Sequence, residues 1–298
     1  MINKKLGKYI GLALIITIIN GCSLYIDSFT NDLNQAIITS NDPQTVMQAL
    51  PAYIVFIDSL IKDDPEDKKT LIASVNLMNA YASLLGSQLD LVKDLPDYEI
   101  IRIKNQQKIL NKKSLKRAEK AICIQNKLLC NLTKIKFSEL NNKIENLNAD
   151  DMALLYKVSV AWVSWVQVNT DDWNAMAQIA QIKFIMEKVI VYNELIDNGN
   201  AHVYLGVLNS LIPTALGGKP EKGKQHFESA IRISKGRNIM AKALYAEYYA
   251  RLVFDEKLHK KLISEILTDE NINKHNGLIN TLAIKKAKAL QRSAPDYF

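Results

Sequence analysis

Glycine and proline are scarce in this chain, eleven and seven among 298 residues, and no segment alternates apolar and polar side chains over the length of a strand. A sheet protein is therefore excluded. Cysteine is scarcer still at three, too few for a disulfide-dense secreted scaffold. Aromatic residues make up 7% of the chain and do not interleave with the lysines, which argues against nucleic acid as a partner. The four histidines, His202, His226, His259 and His275, form no HExxH or His-x-His spacing, so no metal site is expected. There is no Gly-x-Ser-x-Gly, and Gly217-Gly218 lacks the Lys-Ser or Lys-Thr of a phosphate-cradling loop. No catalytic residue and no cofactor is expected. An envelope enzyme such as a cell-wall hydrolase would need an acidic pair in a cleft, and no such pair stands out.

What is present begins at the N-terminus. Lys4, Lys5 and Lys8 precede an apolar run, Tyr9 to Ile19, of only eleven residues. A bilayer span needs about twenty, so the run reads as the apolar region of a secretory signal. Ile19-Asn20-Gly21-Cys22 resembles the bacterial lipobox, with Asn20 in place of the usual Ala or Ser. The expectation is a signal peptide over residues 1–21, lipidation of Cys22, and one helical domain over residues 22–298. The alternative is an ordinary signal peptide ahead of a buried cysteine. Acyl chains at about 0.8 kcal/mol per buried methylene hold a soluble domain on a membrane without a spanning helix. No later run approaches eighteen uninterrupted apolar residues. The anchored domain would then lie on the periplasmic side, and Ser23, where an Asp would retain the protein, favours the outer membrane in a cell with two.

Almost half of the whole sequence is apolar (48%), and the +7 charge includes three lysines of the signal segment. Cys123 and Cys130 are seven positions apart in a helical stretch, roughly 10 Å along the axis. A disulfide needs Cα atoms within about 7 Å. Both cysteines are therefore expected as unbridged core residues unless the helix breaks between them, the alternative being a redox or metal pair.

Periodicity near 3.6 predicts helices over Ser28–Thr39, Pro43–Lys62, Pro65–Leu85, Tyr98–Leu132, Phe137–Leu147, Ala149–Asn169, Asp172–Leu195, Ala201–Ile212, Lys219–Ser234, Ile239–Phe254, Glu256–Leu267 and Gly277–Gln291. Asp42-Pro43 and Asp64-Pro65 each look like an acidic N-cap before a first-turn proline. Asn131 to Asp150, rich in Lys and Asn, reads as a surface insertion. Paired helices with short turns imply an all-α superhelical stack of helical hairpins. Leu205-Gly206, followed by Gly223, Phe227 and Ala230, is similar to the two helices of a tetratricopeptide repeat (TPR), with an enlarged turn from Pro213 to Lys219.

Two helices are apolar nearly all round and are expected at the centre of the fold. Trp162 and Trp165 lie one turn apart on the first. Tyr245, Tyr248 and Tyr249 lie on the second, whose charges Glu247 and Arg251, with Asp255, recur at steps of four and are expected to pair along one edge. Trp162, Trp165, Tyr245, Tyr249, Glu247, Arg251 and Asp255 are candidate cavity or interface residues, and an apolar cavity between the two helices is the expected ligand path. Core filling by the tryptophans is the competing reading. Between Arg102 and Lys127 nine Lys or Arg face a single Glu119, a solvated face or a contact for anionic headgroups or an acidic partner.

HVYLGVLNSLIPTALGGKPEKGKQHFESAIRIS (His202 to Ser234), LYAEYYARLVFDEKLHKKLISEIL (Leu244 to Leu267) and LPAYIVFIDSLIKDDP (Leu50 to Pro65) resemble the T component of TRAP transporters (TatT), TPR-like periplasmic lipoproteins. NAYASLLG from Asn79 and the helix with Asn280, Ala283 and Ala287 also match, whereas Ala49 stands where the family usually has Gly. The resemblance implies that Pro213, Gly217 and Gly218 form a structural turn. It also implies association with a substrate-binding P component, a homotrimer, and hydrophobic passages for an apolar small molecule or lipid. The rival reading is a TPR-like envelope scaffold or assembly lipoprotein that binds only proteins.

Overall fold

The computed structural model describes residues 32–92, 95–211, 214–216, 218–268 and 277–298. Cys22, Pro213, Gly217 and His275 lie outside the described residues. Every regular element among the described residues is helical, as the composition requires. After α1 (32–39) come α2 (Pro43–Asp63), α3 (Lys68–Leu91), α4 (Asp97–Gln125) and the short α5 (Phe137–Ile144). Next are α6 (Ala149–Gln167), α7 (Trp173–Ala177), α8 (Ile179–Tyr192), α9 (Asn200–Asn209) and α10 (Pro220–Ile233). The chain closes with α11 (Ile239–Leu244), a π-helical turn (Tyr245–Ala250), α12 (Glu256–Leu267) and α13 (Leu278–Arg292).

Local chemistry accounts for where these helices start. Asp42 accepts from Gln44 N–H and Thr45 N–H, with Pro43 at the first helical position, as expected. The expectation fails at the second proline. Asp64 caps the C-terminus of α2, and Asp67 starts α3 by accepting from Lys69 N–H and Thr70 N–H. An aspartate two residues beyond Pro65 is better placed than Asp64, because the chain first has to turn back on itself.

α2 alone among the described helices has the length and hydropathy of a membrane span. Its stripe of Val46, Leu50, Ile54 and Ile57 is nevertheless buried and packs with Met78, Leu84 and Leu85 of α3 in an N-terminal core. Each such side chain contributes about 1.5–3 kcal/mol on burial. A middle core joins the C-terminal half of α4 to α5, α6 and α8, and a third gathers α10 to α13. α13 reaches back, setting Leu278 and Leu282 in the N-terminal core and Ala283, Ala287 and Leu290 in the third.

The expected helix from Tyr98 to Leu132 ends at Gln125. Asn126 is extended and accepts from Leu128 N–H to start a single 3₁₀ turn. That break folds Cys130 back, so Cys123 and Cys130 form a disulfide with Cα atoms 4.3 Å apart. The expectation of two unbridged cysteines is overturned, because the separation along an unbroken helix no longer applies. The presumed surface insertion is also corrected. Leu129, Leu132, Ile135, Leu140 and Ile144 are buried in the middle core, so this Lys- and Asn-rich stretch wraps the core with its apolar residues turned inward.

α9 and α10 approach closely. A Cβ on Gly223 would lie 2.1 Å from Ser210 Oγ and 2.9 Å from the Gly206 carbonyl, and one on Gly206 would lie 2.8 Å from the Phe227 ring. Gly206, Gly223, Phe227 and Ala230 therefore form the small-residue contact that their spacing predicts.

Two stability measurements check these points. Gly223→Ala is expected to cost about 1–3 kcal/mol in urea denaturation, because the Gly206 backbone carbonyl as well as the Ser210 hydroxyl must move. Cys123→Ser with Cys130→Ser should cost about 2 kcal/mol relative to the oxidised protein. The same loss should follow reduction of the unmodified chain.

Candidate functional site

The tyrosine-bearing segment does not continue as an ordinary α-helix. From Tyr245 to Ala250 the turns widen, and Arg251 N–H bonds to Ala246 O and Asp255 N–H to Ala250 O, each five residues back. A π turn adds a residue per turn and so rotates everything after it. Tyr245 and Tyr249 both face inward. Tyr245 stacks on Phe227 at 5.3 Å and leans on Tyr249 at 5.4 Å. The Tyr249 hydroxyl donates to Glu221 at 2.6 Å and that of Tyr245 to Glu228 at 3.3 Å. Burial first, and then the two glutamates of α10, push both phenol pKa values above the ordinary tyrosine range. Both hydroxyls are protonated donors that hold α10 against the π turn.

The same rotation overturns the expected ladder. Glu247, Arg251 and Asp255 do not pair with one another. Glu247 Oε1 accepts from Lys286 of α13 at 3.0 Å. Arg251 donates to Leu290 O at 3.1 Å and Ser293 Oγ at 2.7 Å, and its guanidinium lies 4.0 Å from the Tyr297 ring centroid. Asp255 caps α12 by accepting from Leu258 N–H at 2.9 Å. The charges bind two elements and thereby fix α12 and α13 to the π turn.

Trp162 and Trp165 sit elsewhere. Trp162 is fully buried in the middle core and donates to Gln178 Oε1 at 2.6 Å; Trp165 is partly buried against the same core. Tyr245 and Tyr249 belong to the third core. α9 stands between, giving Ala201, Leu205 and Leu208 to one side and Val203 and Val207 to the other. The structure thus does not bring the two apolar helices face to face. Gly218, the described member of the expected turn, lies just before α10.

An open cleft of about 210 Å³ lies instead between α2, α3 and α13, with Met47, Leu84 and Leu282 as its apolar lining and Gln44, Gln88 and Lys285 among its polar groups. It is smaller than the roughly 300–1,000 Å³ of a drug-sized ligand pocket. Gln88 Oε1 is buried there without a hydrogen-bond partner. Sequence periodicity does not reveal it, since its lining comes from three helices distant in the chain.

A second arrangement escaped sequence reasoning because its members are 24 residues apart on different helices. His202 Nδ1 and His226 Nδ1 are 2.9 Å apart, so one carries the hydrogen and the other accepts it. His202 Nε2 lies 3.5 Å from Glu194, which also pairs with Arg232 at 3.0 Å. Burial, the neighbouring His202, Lys222 and Lys183 lower the His226 pKa to about 4. Burial also lowers that of His202, against the pull of Glu194. Among the described residues no group of three or more His, Cys, Asp or Glu is placed to hold a metal ion.

These contacts describe an all-helical scaffold whose buried polar groups hold one helix to the next. A family model, TRAP transporter T-component, matches residues 39–298. The chain belongs to that family, which supplies an accessory component of a transport system and is not an enzyme family. No curated protein matches the chain.

The histidine pair makes the fold sensitive to acid. Both folded-state pKa values lie below the ordinary 6.5, so the stability they carry is complete above that pH and is lost as pH falls toward about 4. Thermal denaturation followed between neutral pH and about pH 4.5 should show a smaller decline for His226→Gln than for the unmodified chain. Equal declines would remove the pair from this role.

Proposed function

We propose that this chain is a lipid-anchored accessory component of a TRAP-type transport system, held by Cys22 on the periplasmic side of a membrane, the outer one where there are two. There it docks the substrate-binding P component and holds or passes a hydrophobic small molecule or lipid. The observation that carries this reading is the family match over residues 39–298. The Cys123–Cys130 disulfide supports an oxidising compartment, in which such bonds persist. The homotrimer implied by the family resemblance belongs to the same proposal.

For docking, the end of α8 offers Val191, Tyr192 and Leu195, all exposed. Exposed aromatic and aliphatic side chains grouped in this way are the usual anchors of protein interfaces. For a ligand, the cleft between α2, α3 and α13 offers an apolar lining and a lysine, a combination suited to an apolar chain ending in a carboxylate. A scaffold that binds only proteins is the second reading, favoured by the complete burial of Trp162, which leaves it no open face toward a passage.

Co-purification from native membranes, with mass spectrometry of retained lipid, separates the two readings. The P component is expected with the unmodified chain and at least about tenfold less with Val191→Asp and Tyr192→Asp, the loss of roughly one hot spot. Retained lipid should disappear with Leu282→Trp, which fills the cleft. Absence of the P component would defeat the transport reading. Absence of lipid from the folded protein would leave the protein-binding scaffold.

A further inference from the structure

Positive charge is segregated within this chain. From Arg102 to Lys143 there are twelve Lys or Arg and two Glu, a surplus of ten that exceeds the +7 of the whole sequence. Everything else is therefore acidic on balance. The structure divides these cations into two groups. Lys108 pairs with Asp171 on one flank of α4, Lys113 and Arg117 pair with Asp58 of α2 on the other, and Arg102 pairs with Glu99. Lys112, Lys116 and Lys120 are exposed on the outer face between those flanks and form no ion pair among the described residues.

The outer stripe follows the helical repeat. Tyr98, Asn105, Ile109, Lys112, Lys116 and Lys120 recur at steps of three, four or seven, with Ile101 beside them, over about 33 Å of helix. Tyr98, Ile101 and Ile109 are all exposed. Glu119 is drawn away, accepting from Thr133 N–H and its hydroxyl. Past the helix break, Lys127, Lys134 and Lys136 are exposed as well, with Leu128 and Phe137 among them. Along α4 the face is thus cationic and carries apolar and tyrosine side chains, with exposed acidic groups, Asp97 and Glu139, only at its two ends. A solvated protein face usually mixes both signs of charge.

We propose that this face of α4 lies against an anionic bilayer surface, its lysines on lipid phosphates and Tyr98, Ile101 and Ile109 in the interfacial layer. Interfacial helices combine basic side chains with aromatic or aliphatic ones in this way, and each lysine near an anionic surface adds attraction that decays over a Debye length. A bilayer requires no groove, and α4 offers none between its flanking ion pairs. The proposal rests on the lipid-anchor reading for one point only, proximity. Asp32 lies ten positions after Cys22, a reach of at most about 35 Å, so an anchored domain is held close enough for one face to rest on the membrane. The face would set the orientation of the domain, and an accessory protein so oriented presents a constant side to its partners.

The test uses the mature chain from residue 22 with Cys22→Ser, so that no acyl group contributes. It should co-sediment with vesicles of phosphatidylglycerol and phosphatidylethanolamine and not with vesicles of phosphatidylcholine. Raising salt from about 0.1 M to about 1 M, which shortens the Debye length from about 10 Å to about 3 Å, should release it. Lys112→Glu with Lys116→Glu and Lys120→Glu should weaken binding by at least about tenfold, and Ile109→Asp should weaken it separately. The charge-matched variant Lys257→Glu, Lys261→Glu and Lys288→Glu should bind as the unmodified chain does, with unchanged circular dichroism in every case. Equal binding to both vesicle types, an unaffected α4 variant, or an equal loss in the control would overturn the proposal. So would an α4 variant that keeps vesicle binding and loses a purified P component, since the face would then belong to a protein. Failure of palmitate to label Cys22 would defeat the anchor reading and leave the vesicle result as it stands.

Discussion

The C-terminal half of this protein depends on how closely α9 and α10 approach. Two glycines, one on each helix, leave the gap that the Phe227 ring and the backbone of the opposite helix fill. α9 can then be buried almost all round, feeding Leu205 and Leu208 into the middle core and Val203 and Val207 into the third. Dispersion contacts and apolar burial both require this near-crystalline packing. A larger residue at either glycine would push apart two cores at once, because a single helix serves both.

Polar interactions are arranged around that packing. Tyr245 and Tyr249 reach the glutamates of α10, while Glu247 and Arg251 reach α13. Tyrosines four residues apart on a helix would normally share a face with Glu247 off to one side. The π turn adjusts this geometry so that one short segment ties three helices together. π turns often accompany functional sites, but here every polar side chain of the segment that points inward is engaged in holding neighbours. Arg251 Nε, just past the segment, is buried without a hydrogen-bond partner among the described residues.

The surface shows the complementary economy. Cations on the flanks of α4 are neutralised by aspartates of adjacent elements, whereas those at its crest are exposed without ion pairs among the described residues. The exposed apolar side chains at the end of α8 and the cationic crest on α4 differ in chemistry, and the partners proposed for them differ accordingly. The disulfide closes the C-terminal end of the basic helix, where the chain leaves α4 to wrap the middle core.

Sequence alone determined the helical class, most helix positions and the α9–α10 contact, since each depends on local periodicity, capping groups or small residues at fixed spacing. Glu256–Leu267 matches its expected bounds, and Asp42-Pro43 acts as its residue types predict. Tertiary structure decided whatever depends on where a helix stops or changes pitch. The break at Asn126 brought Cys130 to Cys123 and turned a presumed insertion into core, and the π turn sent Glu247, Arg251 and Asp255 to different partners. The histidine pair and the cleft between α2, α3 and α13 were likewise invisible in one dimension. Their members are distant in the chain and meet through packing free energy, which no short window of residues contains.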